Sequence, residues 1–402
     1  MSHKLYVIGV GPGRSDQLTL AARETINSAG LVVAAPRHLP LAAPTPRTLV
    51  MGKFGETFDA IRKALETRSV ALLVSGDTGV YSLLPLVKKN FPAEIIEVIP
   101  GISSLQTLCA LTRTTWIDAV ILSGHGRQIS EAKVLDAADQ NAKVIFFCGP
   151  EWPPHRVCRL LVAAGMEGLK VTVGERLSYD DQRVASGRPS DLAGEEYDDL
   201  ALVLIENPAP WTPPTGRPRD DDFIRTNVPM TREVVRSAVI DELRLEKDST
   251  LWDLGAGTGS ISVAAALICR DGHVCAVEKK PDAVDLIERN VAKFHLHNLS
   301  VHAGDNLELL PSLPRPTHVF IGGSGAETPD ILRAIAALGP GIRVVVSAVA
   351  FKTYAAASEI LDSPIYADFD ALQVAVSHAK KVGSTHIMAA LNPITLFTAV
   401  TA

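Results

Sequence analysis

Short runs of β-branched and aliphatic residues recur along the first half of the chain: LYVIG, LVVAA, VALLV, EIIEVI, AVIL, KVIFF and ALVLI. Between them lie stretches with apolar residues at helical spacing, such as LTLAARETINSA and HRVCRLLVAAG. Near-continuous apolar strands are those buried on both faces, so their alternation with amphipathic helices predicts an α/β domain from Lys4 to about Glu206. The pattern then stops. Residues 207–222, NPAPWTPPTGRPRDDD, hold too much proline for a helix and too little apolar content for a core, which predicts a linker. Beyond it MTREVVRSAVIDELRL returns to helical spacing, and TLWDLGAG, HVCAVE, THVFIG and IRVVVS start a second alternation. The expected organisation is thus a domain over 1–206, a Pro-rich linker over 207–222 and a second α/β domain over 223–402. The tail FDALQVAVSHAKKVGSTHIMAALNPITLFTAV reads as two long strands around a Lys-Lys-Val-Gly-Ser turn, forming an antiparallel sheet edge.

Size and charge narrow the picture. A chain of 402 residues with 47% hydrophobic content can fill two cores of about 200 residues each. A net charge of −6 offers no whole-chain attraction for phosphate backbones or anionic lipid, so neither nucleic acid nor membrane is the expected partner. The five cysteines (Cys109, Cys148, Cys158, Cys269, Cys275) sit mostly in apolar runs and form no Cys-x-x-Cys pair, which argues against disulfides or structural zinc. No apolar run approaches a membrane span, and LYVIGV is too short for a signal core. A soluble cytoplasmic protein without a metal site is expected.

Two glycine-rich loops of different kinds follow strand-like runs: GVGPG at 9–13, containing Gly11, Pro12 and Gly13, and GAGTG at 255–259. Glycine admits φ > 0 and lets a ligand approach the backbone, so each loop is a candidate for lining a nucleotide-sized ligand. In the second half Gly255-Ala256-Gly257-Thr258-Gly259 opens into an Ala-rich helix, and Glu278 ends the next strand, where a carboxylate can accept both ribose hydroxyls of a nucleoside. NAD and S-adenosylmethionine sites share that geometry. Ser260 stands where the dinucleotide fingerprint has its third glycine, which favours the methyl donor, and Asp305-Asn306 after the following strand is placed to meet an adenine. Thr231 is a further candidate contact, with N-capping of the leading helix as its alternative. His295 and His297, two apart on the helix predicted after Glu278, point to different faces and read as surface residues.

The motifs RTNVPMTREVVR, WDLGAGTGSISVAAA, FIGGSG and HIMAALNP, spanning 225–393, resemble the cobalamin-pathway methyltransferases that modify C15 of a precorrin and decarboxylate it. That resemblance implies a Rossmann-like class I methyltransferase domain with donor contacts at Thr231, Gly255 to Gly259, Glu278 and Asn306. The chain departs from the family pattern at Asn306, often alanine there, and at Ser384-Thr385, near which the family has a glycine-tyrosine pair. In the first half VIGVGPG, LLVSGDTGVYS, VIPGISS and FFCGPE resemble the tetrapyrrole methylase family. The implied fold is a two-lobed class III methyltransferase with donor contacts at Pro12, Ser75, Gly76, Asp77, Val80, Ser103, Ser104 and Cys148. Glycine at 76 suits close approach and Asp77 can meet polar groups of a donor, or serve as a plain turn residue.

Together the resemblances imply one S-adenosylmethionine per domain and a precorrin tetrapyrrole substrate, precorrin-6Y, methylated at C5 and C15 with loss of the ring C acetate carboxyl to give precorrin-8. Both families also imply a homo-oligomer. An electron-rich macrocycle carbon is itself a nucleophile, so positioning matters more than a strong base, and the sequence carries no conspicuous catalytic motif. A substrate rich in carboxylates calls for cations, and Arg225, Lys380, Lys381 and His386 are candidates. Still open on the residues alone are a cobalt-containing precorrin, an RNA or protein methyltransferase, and an NAD-binding module without methyl transfer. Against the RNA or protein target, FIGGSG stands where amine-methylating enzymes carry an Asn/Asp-Pro-Pro-Tyr loop, and no basic tract appears.

Overall fold

The structure, a computed structural model, describes residues 3–42, 47–126, 128–214, 216–322 and 325–402. Gly323 and Ser324 of the FIGGSG motif and Thr215 of the Pro-rich stretch lie outside the described residues. The chain divides into two compact units: residues 1–129 with 137–210, and residues 130–136 with 211–402.

Unit 1 contains two five-stranded sheets. The first is built from β1 (Leu5–Gly9), β2 (Leu31–Ala34), β3 (Thr48–Val50), β4 (Val70–Val74) and β5 (Ile96–Ile99), in the order β3-β2-β4-β1-β5 and parallel throughout. All five residues of β4 are buried, as an apolar run covered on both faces requires. Parallel neighbours need crossover helices, and Leu20–Ser28 and Phe54–Leu65 supply two of them. Thr19 starts the first, its hydroxyl accepting from the Ala22 N–H at 3.1 Å, while Phe58 and Ile61 of the second pack into the core. The second sheet runs β6-β7-β10-β8-β9 from β6 (Ala119–Ser123), β7 (Lys143–Phe147), β8 (Lys170–Glu175), β9 (Arg183–Gly187) and β10 (Ala201–Glu206). There β10 is central and antiparallel to both neighbours. Sequence periodicity did not bring out β3, β8 or β9. β3 has only three residues, and RVASG lies at an edge with no residue buried, so it lacks the apolar run that marks the others.

Unit 2 is one seven-stranded sheet and a separate hairpin. Strands β11 (Thr250–Leu254), β12 (His273–Glu278), β13 (Leu299–Ala303), β14 (His318–Ile321) and β15 (Arg343–Ala348) are parallel, followed by β16 (Tyr366–Val374), β17 (Ser377–Val382), β18 (Thr385–Ala390) and β19 (Ile394–Thr401). The sheet order is β13-β12-β11-β14-β15-β19-β16. The tail therefore corrects the sequence expectation: it forms four strands rather than two. β19 inserts antiparallel between β15 and β16, while β17 and β18 pair only with each other around Gly383. Pro393 interrupts the run between β18 and β19, and β19 is the apolar strand, so burial selects it for the sheet. Among the described residues no helix is long and apolar enough to cross a membrane.

Candidate active site

In both units the motif loops leave neighbouring parallel strands at their carboxyl ends, the usual place for a ligand in an open α/β sheet. In unit 2 the glycine loop follows β11 at the centre of the sheet, with β12 on one side and β14 on the other. It borders a cavity of about 710 Å³ lined by Gly255, Ala256, Gly257, Thr258, Thr231, Glu278 and Asn306, among others. Gly255, Gly257 and Gly259 hold φ of 75°, 59° and 73°, left-handed values that disfavour other residues. At Gly257 an added Cβ would meet only the Pro229 carbonyl at 3.6 Å, so that face stays open to the cavity. Gly259 does not line it. A Cβ there would sit 2.9 Å from Ile287, so this glycine serves helix packing.

Glu278 is 8% exposed, and its carboxylate accepts three backbone N–H groups: Gly257 at 2.9 Å on Oε2, and Lys279 and Lys280 at 3.0 Å each on Oε1. A carboxylate has about four acceptor positions, so it ties the glycine loop to the end of β12 with one position left for a ligand. Asn306 starts the short helix Asn306–Leu309 and is buried. Asp305 is placed differently: it does not line the cavity, and its Oδ1 caps that helix by accepting the Leu307 N–H at 3.0 Å. Thr231 lines the cavity, but the leading helix spans Glu233–Leu243 with Arg232 at its cap position, so the capping alternative for Thr231 fails.

Sequence reasoning missed Asp253, two residues before the loop. It is 1% exposed and lines the cavity, with Oδ2 accepting the Ser262 hydroxyl and Oδ1 buried without a partner among the described residues. Burial, helped by the nearby Glu278 charge, pushes its carboxyl up to about 6. A charged residue inside the apolar run LWDL was the available signal.

The cations named from sequence lie elsewhere. Arg225 is exposed and 3.9 Å from Asp221, while Lys380, Lys381 and His386 project from the β17–β18 hairpin, with Lys381 paired in register with His386. None of them lines the cavity; Arg232, Lys279 and Lys280 do. Lys279 is 3.5 Å from Glu327. The hairpin still meets the cavity at its base, where Val376 and Leu391 are lining residues.

The loop carrying Thr231 is braced by Arg236, 2% exposed. Its guanidinium donates to the carbonyls of Thr231 (2.9 Å) and Pro218 (2.7 Å), pairs with Asp220 at 3.1 Å, and lies over the Phe223 ring at 4.7 Å. The C-terminal end of the Pro-rich stretch is thereby fastened to unit 2. The histidines are also placed differently from expectation: the helix ends at Lys293, His295 follows it at φ 48° and stacks on Trp211 at 4.8 Å, and both His295 and His297 are half-buried.

In unit 1 the three motif loops converge because β4, β1 and β5 are adjacent. Gly11 and Gly76 exchange backbone hydrogen bonds of 3.2 and 2.8 Å. A Cβ on Gly9 would lie 2.6 Å from the Gly101 nitrogen and 2.7 Å from the Gly76 oxygen, so only glycine permits this packing of backbones. Asp77 crosses the junction, its Oδ1 accepting the Gly79 N–H (2.7 Å) and its Oδ2 the Gly101 N–H (3.0 Å). This is more than an isolated turn. Ser103 caps the helix Ser104–Thr112 in a capping box with Gln106, which puts Ser104 in its first turn. Pro12 and Gly13 continue the first loop, and Gly13 at φ 138° passes close to the Tyr179 hydroxyl. Val80 lines a separate cavity of about 420 Å³ with Thr78, Tyr81 and Ile121. Ser75 is bonded to Arg37 and His38. Cys148 is 4% exposed, its thiol facing the Phe146 carbonyl and pushed well up by burial; among the described residues no hydrogen bond links it to the glycine loops. All five cysteines are buried free thiols.

Comparison with known proteins covers both units. The family described as "Tetrapyrrole (Corrin/Porphyrin) Methylases" matches residues 4–193, and that described as "Precorrin methyltransferase domain" matches residues 222–401. A probable cobalt-precorrin-6B C(15)-methyltransferase (decarboxylating) of Pyrobaculum aerophilum is 38% identical over 47% of this chain and 98% of its own length. The precorrin-6Y C(5,15)-methyltransferase [decarboxylating] of a Sinorhizobium species is 28% identical over 86% of this chain and 84% of its own. A probable cobalt-precorrin-7 C(5)-methyltransferase of Methanocaldococcus jannaschii is 29% identical over 50% of this chain and 97% of its own.

Proposed function

The chain belongs to the precorrin methyltransferases and joins a tetrapyrrole methylase domain to a precorrin methyltransferase domain, and from that premise we propose that it methylates precorrin-6Y at C5 and C15 and decarboxylates the ring C acetate, giving precorrin-8 in cobalamin biosynthesis. Unit 1 serves C5 and unit 2 serves C15 and the loss of carbon dioxide. The observation carrying this reading is that a relative bearing both activities in its name aligns over 86% of the chain. The half-length relatives divide the same two positions between them: the one aligned with 47% of this chain is named for C15 and precorrin-6B, the one aligned with 50% for C5 and precorrin-7. Their substrate numbering supports C15 before C5.

One S-adenosylmethionine per unit is part of the proposal, and when bound it supplies an electrophilic methyl on a sulfonium. The cavity of unit 2 suits it on physical grounds. An open face at Gly257, a remaining acceptor position on Glu278 and the unpartnered Oδ1 of Asp253 present backbone and negative charge to a cationic nucleoside. In this reading Glu278 holds a ribose hydroxyl at its remaining acceptor position, Asn306 meets the adenine, and Thr231, braced through Arg236, closes the side of the cavity. Gly255, Ala256, Thr258 and Gly259 keep the loop shape. In unit 1 the junction of Gly11, Gly76 and Asp77, extended by Pro12, Gly13, Ser75, Val80, Ser103, Ser104 and Cys148, lines the second donor site. These groups orient the donor against a carbon that is already nucleophilic and exclude water, so neither unit needs a strong base. C5 and C15 lie on opposite sides of the macrocycle, which accounts for two donor sites in one chain. Carboxylate recognition in unit 2 falls to Arg232, Lys279 and Lys280 at the cavity, with Arg225, Lys380, Lys381 and His386 outside its lining.

A cytoplasmic homo-oligomer completes the proposal, and light scattering of the purified chain reads the oligomer directly. The deciding experiment incubates the chain with precorrin-6Y and labelled donor. Two methyls gained and one carbon dioxide lost is the expected product mass, and an unchanged substrate mass refutes the reading.

A further inference from the structure

Beside the unit 1 junction two side chains that the donor site does not use, Arg37 and His38, are bonded to one that it does, Ser75. His38 is 1% exposed on the short helical segment after β2, and its Nε2 lies 2.8 Å from the Ser75 hydroxyl at the end of β4. The Arg37 guanidinium spans both: Nε donates to His38 Nε2 at 3.2 Å and Nη2 donates to Ser75 Oγ at 2.7 Å. An N–H donated to Nε2 needs a lone pair there, so His38 is neutral; burial and the neighbouring Arg37 charge agree, lowering its pKa to about 4. A buried neutral imidazole beside a guanidinium is not an ion pair. It is an acceptor that fixes the plane of the fork.

Two of the five guanidinium N–H donors are committed in this way, which leaves three, including the outer edge that binds a carboxylate bidentately. Arg37 is itself exposed, and among the described residues no carboxylate pairs with it. It is thus a pre-oriented, uncompensated cation. Its support, Ser75, is bonded directly in sequence to Gly76, the residue whose backbone meets Gly11 at the junction. An ordinary surface arginine has neither the buried acceptor nor this position.

We propose that Arg37, its plane set by His38 and Ser75, anchors an acetate or propionate carboxylate of the tetrapyrrole that unit 1 methylates. Arg37 touches substrate, and His38 is a positioning residue acting through it. The assignment rests on the reading of unit 1 as the C5 methyltransferase. Because the anchor binds a part of the substrate distant from the reacting carbon, its loss raises KM more than it lowers kcat.

The test uses the full chain, precorrin-6Y and labelled donor, with the C15 step and decarboxylation of the same chain as internal control. Arg37→Gln is expected to accumulate the singly methylated, decarboxylated intermediate and to raise KM for the C5 step about tenfold or more, with kcat within about threefold, as befits a lost charged hydrogen bond. Arg37→Lys, which keeps charge but not the fork, falls between. His38→Gln, which keeps an acceptor, stays nearer wild type than His38→Leu, while Arg37→Gln, an exposed change, carries the test if His38→Leu unfolds unit 1. C5 methylation by the wild type with unchanged KM in Arg37→Gln overturns the anchor and leaves the function standing. Absence of C5 methylation in the wild type overturns both.

Discussion

The two glycine-built sites use the same residue type for different physical ends. In unit 2 the glycines supply left-handed φ values that turn a strand into a helix and leave the backbone face open, so Gly257 borders a cavity of about 710 Å³. In unit 1 the decisive glycines at 9 and 101 sit back to back against the Gly76 carbonyl, and their missing side chains let three loops touch. Each site then uses one acidic side chain to pin the loops. Glu278 binds the amides of Gly257, Lys279 and Lys280, and Asp77 binds those of Gly79 and Gly101. The lesson is that a glycine motif by itself does not say whether conformation or space is being conserved. Only the neighbours of the absent Cβ distinguish them.

The sharpest way to break the comparison is an alanine in each loop. Gly9→Ala drives a Cβ into rigid backbone at 2.6 Å and is expected to destabilise unit 1 by about 3 kcal/mol or more. Gly257→Ala meets only an atom at 3.6 Å and costs about 1–2 kcal/mol of left-handed strain. Thermal unfolding monitored together with product mass checks both: the first variant loses C5 methylation and keeps C15, and the second loses the C15 step through donor binding and, with C15 first, leaves precorrin-6Y unconverted. Equal melting shifts would mean that the distinction between space and conformation is wrong.

Next in size are the pinning carboxylates. Asp77→Asn and Glu278→Gln each place an NH₂ against a backbone N–H, leaving donors unsatisfied at about 1–3 kcal/mol. Isothermal titration with S-adenosylhomocysteine should then register one binding site where the wild type has two, and the site lost should differ between the variants. Loss of neither site by Glu278→Gln would remove that residue from the donor cavity.

Asp253 gives a smaller effect with a sign fixed by pH. Its folded carboxyl, at about 6, is above the unfolded value, so the folded state holds the proton more tightly and its ionisation weakens the fold as pH rises through 6. The move to about 6 corresponds to roughly 3 kcal/mol, part of which a buried amide takes back. Asp253→Asn is therefore expected to stabilise unit 2 by about 1–2 kcal/mol at pH 8, with the gain vanishing below about pH 4, as read by denaturant titration at both ends. Smallest is Lys381→Ala on the exposed hairpin, expected within about 0.5 kcal/mol of wild type.

Most of the two α/β frameworks could be read from the chain because VALLV is buried throughout and HVCAVE beyond its first residue, and burial is what the hydrophobic pattern reports. The glycine loops were visible for a related reason, since glycine clusters after such runs mark backbone positions. What escaped was set by partners distant in sequence. Asp253 looks like one polar letter in a strand until Ser262 and the cavity are placed around it. Asp305 precedes a helix too short to recognise, so its capping role was hidden. The cations named from sequence do not line the cavity, because charge alone does not tell which side chain faces it, and the β17–β18 hairpin looked continuous with the sheet until Pro393 and the buried β19 divided the tail.

The central claim is that two separate donor sites in one chain methylate opposite edges of one macrocycle. Its most direct test is the product mass formed from precorrin-6Y by the full chain carrying Asp77→Asn. The expected product has gained one methyl and lost one carbon dioxide, with the second methyl missing. A doubly methylated product formed at the wild-type rate would contradict it.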